Sequence, residues 1–441
     1  MQPSQQQIIV RLGVFFDGTG NTRNGNVDQD VSNIARLYEL YQDQAALPLQ
    51  ETTREVALKI YLEGTGAGAK GSLFGLVTGL GCSGVLARVE QSPARVLEQL
   101  GKLLDANPGV KIRHLVFDLF GFSRGAAAAR HFANDLLKGA DSVLAKALPA
   151  GSAMLAEHFN WRAQQDFSLN FMGLFDTVAG IISPLDGDWS AGNDRNPGLD
   201  LTVVPGMARK VVHMVARDEY RYNFPLTGTD DDIVMPGAHS DIGGGYPLEL
   251  RETLLLSKPD TSLVGIDVPL ERTPAYERSR DMLDQQRGQW QAKGLDLELI
   301  HWTVGQPYHR KRDVRAEKRV YVAIQGQRQV FGQLSRVYLR IMHELAVRNQ
   351  VPFVSIDGQS PGFELPPELQ LIGAKLSGHA LGEITDPGLT EAEEALLARR
   401  YIHLSAHWQA VNDWRSSTLD AVFINRPTVG GRRLVLGNGV R

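Results

Sequence analysis

The first half of the chain alternates between nearly continuous apolar runs and segments whose apolar residues recur at helical spacing. Ser32 precedes the first helical pattern as a candidate N-cap. Apolar runs of this length are typical of strands buried on both faces, and parallel neighbours need crossover connections. The pattern therefore predicts an α/β fold with a mostly parallel sheet covered by helices. The main predicted strands are Ile8–Phe16, Val56–Leu62, Ile112–Phe120 and Ser168–Phe175.

Two shorter strands, Val211–Ala216 and Ile233–Met235, follow a polar stretch, and the pattern changes after Pro247. We therefore predict a catalytic domain over residues 1–247 and C-terminal lid, cap or accessory elements over residues 248–441. Within the second part we expect helices in Glu271–Lys293 and Arg336–Val347, loops over Pro361–Pro387, and a returning strand and hairpin from Tyr401–Leu404 to the end.

Composition excludes several functional classes. The 441 residues carry a net charge of −4 without long blocks of one sign, so no nucleic-acid partner is expected. The single cysteine, Cys82, excludes an intramolecular disulfide and any multi-cysteine metal site. Met1–Gln7 lacks the pattern of a signal peptide. Leu73–Ala87 is shorter than the roughly 20 residues of a membrane-spanning helix, so we expect no such helix and interpret this segment as a candidate acyl-binding wall or lid.

The pattern Gly121-x-Ser123-x-Gly125 lies between a predicted strand and an alanine-rich helical segment. This is the context of a nucleophile elbow, in which a serine occupies a sharp turn and glycines avoid clashes. We therefore predict that Ser123 is a nucleophile. The backbone N–H of Arg124, at the start of the helix, is a candidate oxyanion donor.

A serine nucleophile needs a histidine base and an acid that orients the histidine. In hydrolases of this fold, the acid and then the histidine follow the serine along the chain. Asp176, directly after an apolar strand, is the predicted acid, and His239 is the predicted base. His403 is the main alternative base, ahead of His213 and His407. Asp241 could orient His239 or cap a turn, and Asp218 is a weaker alternative acid.

The loop Asp17–Asn21 follows the first predicted strand. It lacks the D-x-D pattern of haloacid-dehalogenase-like phosphatases, because Phe15 occupies the position of the nucleophilic aspartate. We expect the loop to lie near Ser123, with the Gly18 N–H as a second oxyanion donor. Asp17, Thr19 and Phe122 are candidate substrate contacts. The glycines at Gly64–Gly68 do not fit a dinucleotide-binding fingerprint, and no metal or organic cofactor is predicted.

Four segments together resemble the α/β-hydrolase catalytic domain of the type VI secretion phospholipase effectors. They are Val14–Asn21 (VFFDGTGN), Gly121–Ala126 (GFSRGA), Gly173–Val178 (GLFDTV) and Pro236–Tyr246 (PGAHSDIGGGY), within a match from Val10 to Pro247. By this resemblance Ser123 matches the family nucleophile and Asp176 its acid. His239 lies in the HSD-GGGY motif, which leaves open whether it or a later histidine is the base.

The resemblance implies an antibacterial phospholipase A that cleaves acyl esters of glycerophospholipids at a membrane surface. It implies a protein held in the cytoplasm of the producing bacterium and delivered to the periplasm of target cells. A cognate immunity protein and a secretion spike protein or chaperone are the implied partners. Only 202 residues follow His239, and no spike-adaptor domain is visible. A soluble cytosolic carboxylesterase or thioesterase, or a non-catalytic hydrolase-fold component of the secretion machinery, remains an alternative.

Overall fold

The computed structural model describes residues 6–23, 31–64, 81–179, 198–305, 316–410 and 415–438. The apolar runs form a six-stranded, fully parallel sheet with the order β2-β1-β3-β4-β5-β7. A two-residue strand, β6, lies outside it. The strands are β1 (Gln7–Phe16), β2 (Glu55–Leu62), β3 (Lys111–Phe122), β4 (Phe167–Phe175), β5 (Lys210–Ala216), β6 (Leu226–Thr227) and β7 (Asp232–Met235).

Helices cover both faces of this sheet, as the alternation predicts. In the described part of the chain the first five are α1 (Asn33–Leu40), α2 (Gly81–Ala106), α3 (Arg124–Leu136), α4 (Val143–Ala147) and α5 (His239–Gly243). Ser32 accepts a hydrogen bond from the Ala35 amide and is the predicted N-cap of α1. Four consecutive alanines from Ala126 to Ala129 are fully buried, which lets α3 pack closely on the sheet. The predicted α/β architecture is confirmed.

A second, antiparallel sheet follows and was not predicted. Its order is β10-β11-β8, and β9 also pairs with β11. Charged and amide side chains interrupt its apolar positions, so the alternation is hard to recognise in the sequence. The strands are β8 (Glu249–Leu255), β9 (Asp260–Gly265), β10 (Asp296–Gly305) and β11 (Glu317–Phe331), and the helix α6 (Pro274–Ala292) packs against them.

The C-terminal half also covers the parallel sheet. The helices α7 (Leu334–Arg348), α8 (Pro367–Ala380) and α9 (Glu391–Arg400) contribute to the same buried cluster as Phe15 and Phe120. Residues 248–441 therefore complete the core of the parallel sheet; the boundary at residue 247 stays a prediction.

Two expectations for the C-terminal half are wrong. Pro361–Pro387 contains α8, because Pro367 occupies the first turn of the helix, where a missing N–H costs nothing. Tyr401–Leu404 forms no strand, and the returning strand is instead β12 (Val435–Leu436), which pairs in parallel with β6. The helices expected in Glu271–Lys293 and Arg336–Val347 are confirmed as α6 and α7.

The predicted acyl-binding wall or lid, Leu73–Ala87, lies outside the described residues up to residue 80. Most of the polar stretch before Val211–Ala216 also lies outside them, at residues 183–197. Within the described part of the chain, no helix is both long and apolar enough to cross a membrane.

Candidate active site

Ser123 occupies a strained turn between β3 and α3. Its φ of 58° and ψ of −123° lie in a region that residues with a side chain rarely adopt. A Cβ atom on Gly125 would lie 2.1 Å from the carbonyl oxygen of Phe16, and one on Gly121 would lie 2.5 Å from the Ala126 Cα. The chain therefore makes this turn only with glycine at both positions, which is the geometry expected of a nucleophile elbow.

Asp176 lies beside Ser123 because β3 and β4 are parallel neighbours. Phe122 is paired with Phe175, so the residues that follow them leave the sheet at the same edge. The Ser123 amide donates to the Phe175 carbonyl at 3.0 Å. Asp176 also has a positive φ, 42°, and its carboxylate is fully buried.

His239 is the first residue of α5, which begins directly after the β7 strand and a short turn. Its Nδ1 atom lies 2.5 Å from Oδ2 of Asp176. Its ring lies 4.7 Å from the ring of Phe122, the residue before Ser123. Gly243 permits this arrangement, since a Cβ there would lie 2.1 Å from the Phe122 ring. The fold thus brings Ser123, Asp176 and His239 to the same end of the parallel sheet.

The hydrogen bond to Asp176 sets the tautomer of His239. A carboxylate accepts, so Nδ1 carries the proton and Nε2 keeps a free lone pair in the neutral ring. Burial lowers the pKa of His239, while Asp176 opposes this change. The net lowering of the His239 pKa favours the neutral imidazole, which is the form that can accept a proton.

Asp176 has a partner that sequence reasoning missed. Arg433 donates from its two terminal nitrogens to Oδ1 at 2.6 Å and to Oδ2 at 2.8 Å. Burial raises the pKa of Asp176, but the charges and hydrogen bonds of Arg433 and His239 outweigh burial and hold it well below its usual range. No local pattern marks Arg433, which lies 257 residues from its partner.

A second buried ion pair lies beside the backbone of His239. Glu219 accepts from the His239 amide at 3.3 Å and from the Arg221 side chain at 2.8 Å, and Ser405 also donates to it. Burial raises the pKa of Glu219, but the guanidinium of Arg221 lowers it more, to about 2. Sequence reasoning did not identify this pair.

The alternative histidines have other partners. His403 directs Nδ1 to Asp241 at 2.7 Å, so Asp241 orients His403 and not His239. His213 contacts Asp232 at 2.7 Å and accepts from the Thr177 amide at 3.1 Å. Of these three histidines, His239 is the one hydrogen bonded to Asp176.

The loop after β1 lies against the elbow, as expected. The Asp17 carbonyl faces Gly125, and a Cβ on Gly18 would lie 2.7 Å from Phe122. However, the Gly18 amide donates to the Asp17 carboxylate at 2.6 Å, so the expected oxyanion donor is already engaged in this conformation. Burial raises the pKa of Asp17 to about 6. Thr19 lies in the same loop.

The other predicted oxyanion donor is the backbone N–H of Arg124, which is the first residue of α3. Burial lowers the pKa of its side chain to about 10. Across the described ranges, no three His, Cys, Asp or Glu side chains converge as a metal site would require.

Residues 141–260 match the family model described as "T6SS, Phospholipase effector Tle1-like, catalytic domain". The chain resembles the Tle1-like phospholipase effectors. A solved structure of "the Tle1 effector bound to the VgrG spike from the Type 6 secretion system" shares 27% identity and a TM-score of 0.77, over 98% of this chain and 94% of that one. The predicted resemblance is confirmed, and the Tle1-like match indicates a hydrolase of the esterase or lipase kind.

Other comparisons add little to the Tle1-like match. A structure of an uncharacterized protein from Pseudomonas aeruginosa has 18% identity and a TM-score of 0.43, over 89% of this chain and 52% of that one. At this TM-score the likeness carries no argument. No curated protein is significantly similar to the chain in sequence.

Proposed function

We propose that this chain is a phospholipase A that cleaves acyl esters of membrane glycerophospholipids with Ser123, His239 and Asp176. The observation that carries the proposal is the hydrogen bond between Asp176 and His239 beside the strained Ser123 turn. This bond orients the histidine so that Nε2 is the proton acceptor. The Tle1-like match supports the lipid substrate class.

The reaction proceeds in two steps. Nε2 of His239 takes the Ser123 proton as the oxygen attacks the acyl carbonyl, and the Arg124 amide stabilises the developing oxyanion. The tetrahedral intermediate then expels the lysophospholipid oxygen, which receives the proton from His239. Water, deprotonated by the same histidine, attacks the acyl enzyme and releases the fatty acid.

The surroundings of the histidine suit an apolar substrate. Phe122 and Phe224 pack against its ring, with Phe224 at 4.9 Å in an edge-on arrangement. Ser123 and His239 are only 6% and 4% exposed, so the reaction would take place in a site that excludes most water.

The biological setting follows from the same relatives. We propose an antibacterial effector that binds a VgrG-type spike, directly or through a chaperone, and acts in the periplasm of target cells. The solved relative is itself bound to such a spike. An immunity protein in the producing cell completes the proposal, because an enzyme of this activity would damage the producer's own membranes.

A fluorophosphonate probe and defined vesicles test the enzyme. We expect the probe to label the wild type and Ser416→Ala, an exposed control, but not Ser123→Ala. Vesicles of phosphatidylethanolamine and phosphatidylglycerol should yield lysophospholipid and fatty acid, measured by mass spectrometry, with the rate reduced at least about 10⁴-fold in Ser123→Ala. Cleavage of soluble esters without cleavage of vesicles would support a cytosolic esterase. A wild type that never labels contradicts both enzymes.

A further inference from the structure

The Arg433 side chain donates two parallel hydrogen bonds to the Asp176 carboxylate, an arrangement we call the fork. These two bonds are part of a larger set of contacts. The Nε atom of Arg433 donates to the carbonyl of Phe224 at 2.8 Å, so each of the three guanidinium nitrogens donates a hydrogen bond to the protein. Phe224 also packs on the ring of His239. The side chain of Arg433 is 7% exposed. Arg433 thus contacts both the acid and a residue that covers the base.

The segment that carries Arg433 is fixed on the protein by the residues that follow Arg433. The carbonyl of Leu434 accepts from the Leu226 amide at 2.9 Å, and β12 follows directly beside β6. Further along, the Asn438 side chain binds the backbone of Val203 and accepts from the buried Arg130. These contacts hold the guanidinium in place before any substrate binds.

His239 and Arg433 both donate to the same oxygen of Asp176. Nδ1 of His239 lies 2.5 Å from Oδ2 of Asp176, and a terminal nitrogen of Arg433 lies 2.8 Å from it. Oδ1 accepts from Arg433 and from the Ala216 amide at 2.9 Å. The carboxylate charge is therefore shared between a fixed cation and the imidazole.

The charges around His239 balance when its ring is neutral. Two carboxylates, Asp176 and Glu219, face two guanidiniums, Arg433 and Arg221. A proton on the imidazole adds an uncompensated positive charge in a buried site, which is costly. The other polar groups near α5 are directed elsewhere: Asp241 to His403, Asp218 to the Gly237 amide and Arg217, and the Tyr338 hydroxyl to the Pro236 carbonyl.

We propose that Arg433 is a positioning residue that fixes the Asp176 carboxylate and extends the activity of the His239 base to lower pH. The inference rests on the proposed function, since it assigns a role within that triad. Without Arg433, the site carries a net negative charge that an imidazolium would neutralise. The base would then be protonated, and inactive, at a pH where the wild type still works.

Three variants separate charge from geometry. Arg433→Met removes both the charge and the fork. Arg433→Lys keeps a positive charge but offers a single ammonium, which cannot form two parallel hydrogen bonds. Arg432→Met is the matched control, because Arg432 is the neighbouring residue and is exposed.

Activity is measured as kcat and kcat/KM against pH with p-nitrophenyl butyrate, a soluble ester that avoids membrane effects. For Arg433→Met we expect the acid limb of kcat/KM to move up by about one pH unit or more, and kcat to fall about tenfold. Arg433→Lys should restore the position of the limb but not kcat. Arg432→Met should match the wild type in both.

An activity-independent measurement keeps the inference separate from the proposed function. NMR titration of the imidazole, assigned with His239→Asn, should show the His239 ring protonating at higher pH in Arg433→Met than in the wild type. The inference is overturned if Arg433→Met folds but neither the acid limb of its kcat/KM profile nor the pH at which its His239 ring protonates differs from the wild type. This holds even if the variant is active. If the wild type shows no Ser123-dependent hydrolysis, the proposed function fails, and the titration still decides the role of Arg433. If Arg433→Met does not fold, Arg433→Lys decides: wild-type kcat would overturn the positioning role.

Discussion

Nδ1 of His403 lies 2.7 Å from Oδ1 of Asp241, forming a second buried Asp–His pair two residues from His239. The Asp241 carboxylate also accepts from the amides of His403, at 3.0 Å, and Ala238, at 2.9 Å. This pair joins the start of α5 to the segment after α9. Its geometry resembles a catalytic pair, but because these contacts join two segments of the fold we expect it to have a structural role.

The two histidines should respond differently to substitution. We expect His239→Asn to lower kcat at least about 10³-fold with little loss of stability, because it removes the base. His403→Asn should cost roughly 1–3 kcal/mol of unfolding free energy, through the unpaired Asp241, while kcat stays within about tenfold of the wild type. Ester hydrolysis and urea unfolding of the same samples provide the measurements. A much larger loss of kcat in His403→Asn than in His239→Asn would reverse the assignment.

The glycine after the elbow serine should be intolerant of a side chain. In Gly125→Ala the new Cβ would lie 2.1 Å from a backbone oxygen of β1, so the chain must shift, at a cost of about 3 kcal/mol or more. Gly101→Ala is the control, because its Cβ would meet nothing within 4 Å and alanine favours the helix by about 0.5–1 kcal/mol. Thermal unfolding should move in opposite directions for the two variants. Equal melting temperatures would contradict this account of the elbow.

Glu219 should contribute to the loss of stability in acid. Burial raises its pKa and Arg221 lowers it more, to about 2 from an ordinary 4.5. A carboxyl whose pKa is depressed by folding stabilises the folded state above its ordinary pKa, and this contribution disappears as the pH falls toward 2. Glu219→Gln should therefore lower stability at pH 7 and flatten the stability profile between about pH 5 and 2. Urea unfolding at several pH values measures both effects. If the unfolding free energy of Glu219→Gln falls with pH as steeply as that of the wild type, Glu219 does not contribute to the loss of stability in acid.

A buried ion pair between two strands of the second sheet also binds the segment that follows α9. Arg328 of β11 contacts Glu252 of β8 at 2.7 Å and donates to the Ile402 carbonyl, while Glu252 accepts from the Leu404 amide at 3.0 Å. Glu252→Gln leaves the buried guanidinium without its counter-charge and should cost about 3–5 kcal/mol.

The control for the Glu252 substitution is Arg251→Gln, which alters an exposed side chain on the same strand. It should stay within about 0.5 kcal/mol of the wild type in urea unfolding. A Glu252→Gln variant as stable as this control would show that the ion pair contributes nothing to stability.

Local sequence predicted most of the parallel sheet because continuous apolar runs mark strands buried on both faces. The elbow was visible for a similar reason, since Gly121 and Gly125 flank Ser123 at fixed spacing. The antiparallel sheet was missed because its strands carry charged residues at many positions. The helix α8 was missed because its prolines and glycines were interpreted as loop signals.

By itself, the sequence determined that Ser123, Asp176 and His239 each follow a strand of the parallel sheet. Because parallel strands end at one edge, the sequence also predicts that these three residues meet there. Tertiary structure alone decided what surrounds them. Arg433 reaches Asp176 across 257 residues because β12 pairs with β6, and a contact between distant segments leaves no periodic pattern in either one.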